Sequence, residues 1–259
     1  MEQLATADGA TTAVRGGEGR DLFIVHSLLT DRDAFQAVLP DLMRRFRVTL
    51  VNLPGFHGTR KIPGALIAYE TWLDNALDGF GIGSDCILCG NGFGGTVALA
   101  FALNQPRRIG KLLLADVAAG FPEQGKAAFR LMAHRVVSEG MASIAQIAAT
   151  RVYHSEYLAR NPAIVEERRR VLTEIDPEAF AAACEVLIDC NLVPRLRSVD
   201  VPTLVVYGTL DQATPPALNK EIAAAIPISE IMEIADCGHC PPLENPVAFL
   251  RTISRFLSS

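Results

Sequence analysis

No stretch of the 259-residue sequence approaches the roughly 20 consecutive apolar residues that a membrane-spanning helix needs, which excludes a helical membrane protein. The first 19 residues, MEQLATADGATTAVRGGEG, have neither a charged n-region nor an apolar h-region, so the expected location is the cytoplasm. An excess of basic charge is also missing. Lys and Arg number 24 against 29 Asp and Glu, a net charge of −5, and this balance leaves no electrostatic footprint for nucleic acid. The only dense basic run, EERRRVL at 166–172, has acids beside it and reads as a solvated helix face. Internal repeats, low-complexity tracts and long linkers are absent too, so the chain reads as one domain with an insertion. The six cysteines are even in number, but in a chain of this length without a leader they point to reduced thiols rather than a disulfide framework. The single tryptophan, Trp72, is most simply core packing.

What is present is an alternation of short apolar runs with helical patterns, the signature of an α/β fold with a mostly parallel central sheet flanked by helices. Strands are expected at 22–26, 47–53, 85–90, 111–116, 202–208 and 229–235, each nearly all apolar, as strands covered on both faces are. Helices are expected at about 34–44, 66–79, 93–104, 215–225 and 246–257, the last starting at Asn245-Pro246 with proline in the first helical position. Between about 120 and 198 the alternation stops and amphipathic helices follow one another (AAFRLMAHRVVSEG, MASIAQIAATRVY, EAFAAACEVLIDC). Residues 120–198 are therefore expected to form a helical cap on a core made of 1–119 and 199–259. An insertion at that point lies over the carboxyl ends of the strands, where open α/β sheets bind ligands.

The turn GNGFGG at 90–95 admits two readings. Gly90, Gly92 and Gly95 fit G-x-G-x-x-G, which cradles a pyrophosphate, with Asp116 some 20 residues on as a ribose-binding acid. Gly90, Gly92 and Gly94 fit G-x-S-x-G, the strand-to-helix turn that presents a nucleophilic serine, with glycine where the serine would stand. The remaining loops favour the second. GTLDQATPP brings Asp211 and GHCPPLENP brings His239 to the same sheet edge, in the order nucleophile, acid, histidine. Histidine can take and return a proton near neutral pH when a carboxylate fixes its tautomer, and Asp211 is the candidate carboxylate. The oxyanion of an attacked carbonyl needs backbone donors, here Phe93 N–H after the elbow and Leu28 N–H after the first well-marked strand. Asp116 is the reserve acid.

HSLLTD followed by DAF, NLPGFHGT, GNGFGG, EAFAAACEVLIDCNL, GTLDQATPP and GHCPPLENP together resemble the α/β-hydrolase-fold superfamily from about residue 20 onward, and within it the 3-oxoadipate enol-lactonase and small carboxylesterase branch. The resemblance implies hydrolysis of a small ester or lactone, no cofactor, and a substrate face that includes His26, Ser27 and His57. It also marks two departures: Ser27 stands where many relatives have glycine, and Gly92 stands where they have serine. Gly92 then reads as a serine replaced to trap substrate, as the mark of a natural relative in which Asp211 and His239 activate water or carry out lyase or oxygenase proton transfer, or as the mark of a ligand-binding pseudo-enzyme. Ser27 lacks an elbow to present it to a base, so a loop-capping role is expected for it. Cys89 is expected to be buried. CILC (86–89) lies in a strand, where a spacing of three sends side chains to opposite faces, so with CGHC (237–240) it makes a poor metal site, and no metal is expected. CGHC opens no helix after an early strand, which argues against a redox pair. His134 and His154 fall within the cap.

Overall fold

The computed structural model describes residues 1–258. β1 (Glu2–Ala5) and β2 (Thr12–Gly16) come first, then β3 (Arg20–Val25), α1 (Leu39–Leu42), β4 (Phe46–Val51), α2 (Leu66–Gly79), β5 (Cys86–Asn91), α3 (Phe93–Asn104) and β6 (Ile109–Ala115). Five helices fill the interval to the next strand: α4 (Glu123–Glu139), α5 (Ala145–Val152), α6 (Ser155–Arg160), α7 (Ile164–Thr173) and α8 (Pro177–Asp189). β7 (Thr203–Gly208), α9 (Pro216–Ala225), β8 (Ser229–Ile234), α10 (Pro241–Glu244) and α11 (Pro246–Ser258) follow. No helix among the described residues is long and apolar enough to cross a membrane.

The strands form one sheet in the order β1-β2-β4-β3-β5-β6-β7-β8. β1 and β2 pair antiparallel, as do β2 and β4, and every other pairing is parallel. Val25 lies opposite Gly90, Asn91 opposite Ala115, and Gly208 opposite Ile234, so the loops leaving β3, β5, β6, β7 and β8 emerge at one sheet edge. The sheet's centre is dry. β5 and β7 are buried throughout, and α3 is buried along nearly its whole length because helices and strands surround it. α2 instead presents Tyr69, Trp72, Leu73, Ala76 and Leu77 on one buried stripe at helical spacing. Trp72 donates its indole N–H to Thr11 Oγ1 at 2.9 Å, so its one polar atom is satisfied inside the core.

Four expectations change. The hairpin of β1 and β2 was not anticipated from its mostly exposed or half-buried residues. The helix expected at 34–44 is broken into a 3-10 turn at Arg32–Phe35 and the short α1. Pro40 sits near the start of α1, where its missing N–H costs nothing, but it could not occupy a helix interior. β8 is an edge strand with Ile231 and Met232 exposed, not a strand covered on both faces. In α7, Arg168 turns inward to 2% exposure while its basic neighbours face solvent, so EERRRVL is not uniformly a solvated face.

Candidate active site

Gly92 joins β5 to α3 with φ 54° and ψ −120°, in the positive-φ region that side chains other than glycine rarely adopt. Two residues on, a Cβ at Gly94 would meet the carbonyl oxygens of Val25 and His26 at 2.5 Å each. Glycine at 94 therefore lets the first turn of α3 press against the end of β3, which brings the β3 and β5 loops together. The first N–H groups of a helix have no intrahelical acceptor, and Phe93 N–H is the first of α3.

His239 and Asp211 arrive from the far side of this turn. His239 Nδ1 lies 3.0 Å from Asp211 Oδ2, and both residues are buried. The carboxylate is fixed in turn: Oδ1 accepts from Ala213 N (2.7 Å) and Thr214 N (3.1 Å), and Oδ2 accepts from the Thr214 hydroxyl (2.5 Å). Burial opposes the Asp211 charge, but His239 and the hydrogen bonds from His239 and Thr214 outweigh it and hold the carboxyl below its ordinary range. A carboxylate accepting at Nδ1 leaves the proton there and the lone pair on Nε2, the tautomer a general base requires. The backbone of His239 is also anchored. Its N–H donates to Val152 O (2.9 Å), and its carbonyl accepts from Asn91 Nδ2 (3.0 Å), which also reaches Ala115 O. Glu244 bonds both His154 Nδ1 and Gly238 N–H, tying the entry to α6 to the histidine loop.

His239 Nε2 faces the hydroxyl of Ser27 at 3.1 Å. The loop-capping role expected for Ser27 falls to other atoms, because its carbonyl is what Thr30 N and Thr30 Oγ1 bond, at 3.2 Å each. His26 is fully buried: Nδ1 donates to Ser27 O (2.8 Å) and Nε2 accepts from Leu53 N (3.0 Å). Burial pushes the His26 pKa down to about 3, so it is a neutral staple between the ends of β3 and β4. His57, at φ 39°, is 3.4 Å from Asp31 Oδ2 and does not line the cavity at His239.

That cavity has Ser27, Leu28, Gly92, Phe93, Thr214 and His239 as its floor, and Phe129, Arg151 and Leu187 from the helices between β6 and β7 as its roof. Leu28, Gly92, Phe93 and His239 thus line one cavity, with Asp211 held behind His239 and His26 behind the β3 loop. Arg151 is the one charged roof residue. Its guanidinium lies over the Phe129 ring at 5.4 Å, one Nη donates to Ala213 O at 3.3 Å, and its buried Nε has no hydrogen-bond partner among the described residues. Neither Arg151 nor Asn91 was singled out from sequence, since neither belongs to a motif.

Asp116, at the end of β6, has φ 52° and is wholly buried. Burial, followed by repulsion from the Asp211 carboxylate, raises its pKa well above 3.8 against one hydrogen bond from Gly208 N. The folded state therefore favours the protonated acid, and stability falls as pH rises from 3.8 towards the folded pKa. Asp116→Asn, isosteric with the protonated acid and tolerant of positive φ, removes that slope, about 1.4 kcal/mol per pH unit. Thermal unfolding from pH 4 to 8 should show the variant gaining on the wild type as pH rises, and a constant difference would contradict the assignment.

The six cysteines are all free and buried. Burial pushes the Cys86 and Cys89 thiols up to about 12 and those of Cys237 and Cys240 higher still, which disfavours the thiolate a redox pair needs.

The parallel sheet, the glycine elbow and the acid–histidine pair at its carboxyl edge define a family. The model described as the alpha/beta hydrolase family matches residues 22–252, and the chain belongs to it. Among characterised relatives, 3-oxoadipate enol-lactonase 2 of Acinetobacter baylyi is 30% identical over 62% of this chain and 59% of its own length. The pimeloyl-[acyl-carrier protein] methyl ester esterase of Nitrosospira multiformis is 26% identical over 93% of this chain and 95% of its own. Among solved structures, the enol-lactonase of Burkholderia xenovorans superimposes with a TM-score of 0.91 at 25% identity, covering 100% of both chains. A thermophilic esterase of Thermogutta terrifontis gives 0.88 at 29% identity, covering 99% of this chain and 97% of its own.

Proposed function

We propose that the protein hydrolyses a small ester or lactone, with His239 as general base and acid, Asp211 as its orienting carboxylate, and Phe93 and Leu28 N–H as oxyanion donors. The observation that carries this reading is the His239–Asp211 pair, buried, 3.0 Å apart, with Nε2 turned into the cavity. Gly92 offers no side-chain hydroxyl, so the serine of the usual elbow is missing, and the base must act on an oxygen supplied from elsewhere. Residues 120–198 act as the cap: their apolar side chains exclude water from the cavity, which strengthens every electrostatic contact within it.

Turnover of a panel of short p-nitrophenyl esters and small lactones tests the reading, with release of acid and alcohol followed directly. Binding of such carbonyl compounds without turnover of any of them would overturn it in favour of a ligand-binding protein. Arg151 adds a preference. A guanidinium with a free buried N–H in an otherwise apolar roof favours a substrate that carries a carboxylate or a second carbonyl. Arg151→Met should raise KM for acid-bearing esters about tenfold or more and leave neutral esters within about threefold, since a charge-assisted hydrogen bond contributes about 1.5–3 kcal/mol. Equal effects on both classes would count against it.

A further inference from the structure

We infer that Ser27 is the nucleophile of this hydrolase, its hydroxyl having moved from the β5–α3 elbow to the loop after β3. The inference rests on the hydrolase reading above and adds the attacking atom to it.

Three observations point to Ser27. Its Oγ lies 3.1 Å from His239 Nε2, the nitrogen that must take the proton, and among the described residues no other side-chain hydrogen bond reaches that nitrogen. The serine lines the cavity beside Phe93 and Leu28. Finally, a Cβ built on Gly92 would run into Ser27 Oγ and stand 2.7 Å from His239 Nε2 and 2.9 Å from Ser27 Cβ. Ser27 therefore fills the space that a residue at 92 would use, and glycine at 92 is what makes room for it. The Ser27 backbone is also fixed, because its carbonyl accepts from His26 Nδ1 and from both donors of Thr30.

The chemistry balances with water as the only co-reactant. His239 Nε2 takes the Ser27 hydroxyl proton as Oγ bonds to the acyl carbon, and the carbonyl π pair moves onto its oxygen. That pair returns as the bond to the leaving oxygen breaks, and the leaving group takes the proton from Nε2. The acyl ester on Ser27 is then attacked by water, which passes a proton to Nε2, and the acid departs as Ser27 regains its proton.

A hydroxyl that only satisfies His239 would form no covalent adduct, so the wild-type protein itself provides the test. A fluorophosphonate should add one equivalent by intact mass, mapping to the peptide that contains Ser27, and Ser27→Ala should lose both the adduct and at least about a thousandfold in turnover. Wild-type turnover without an adduct, with Ser27→Ala within a few fold of wild type, would overturn the inference and leave the hydrolase reading intact, with water attacking directly. An adduct on another residue would overturn it as well. Neither turnover nor an adduct in the wild type would sink both.

Discussion

His239→Ala is expected to lower ester turnover by about 10⁴- to 10⁶-fold while leaving the fold intact, because among the described residues it removes the one group placed to take the nucleophile's proton and return it to the leaving group. Asp211→Asn is the companion measurement. With an amide at that position the tautomer that leaves Nε2 unprotonated is no longer enforced, and a loss of about 10⁴-fold in kcat is expected. The reserve acid behaves differently. Burial and the neighbouring Asp211 carboxylate favour the neutral form of Asp116, so Asp116→Asn should stay within a few fold of wild type. Comparable losses at 116 and 211 would mean that the orienting acid has been misassigned. The two carboxyls differ in what holds them: Asp211 has His239, Thr214 and Ala213, whereas Asp116 accepts from Gly208 N and lies against the Asp211 carboxylate.

Introducing a serine at the elbow should damage this protein. Gly92→Ser places a side chain at φ 54° and drives its Cβ into Ser27 and His239. Backbone strain of about 1–3 kcal/mol and overpacking of similar size add, so a loss of about 2–6 kcal/mol is expected. At about 2–4 °C per kcal/mol for a chain of this size, that corresponds to a fall of about 4–24 °C in Tm. Turnover should fall with it, since the collision pushes His239 away from both serines. Adding Ser27→Gly to Gly92→Ser removes the overlap with Ser27 and leaves the backbone strain and the 2.7 Å approach of the new Cβ to His239 Nε2, so the double variant should recover only part of the lost stability. A stable single variant more active than wild type would show that the space beside Nε2 was free after all.

Much of this architecture was legible because its signals are local. Asp211 and His239 were readable from loops that follow apolar strands, and the helices α2, α3 and α11 were readable from spacing and from Pro246. The β1–β2 hairpin had a readable signal in Gly9, whose φ of 67° supplies the left-handed position that closes the turn. What stayed hidden depends on contacts distant in sequence. Ser27 and His239 are separated by 212 positions, and nothing near Ser27 in the chain announces its partner. Arg168 looked solvated because its neighbours are, and only the packing of α7 shows that one of the three arginines points inward.

The overlap between positions 27 and 92 also constrains how the two can vary together. Exchanging glycine and serine between them one residue at a time passes through one of two intermediates. Either both hydroxyls are present and collide beside the histidine, or both positions are glycine and neither offers the histidine a hydroxyl. A single substitution at either position is therefore not neutral for the other.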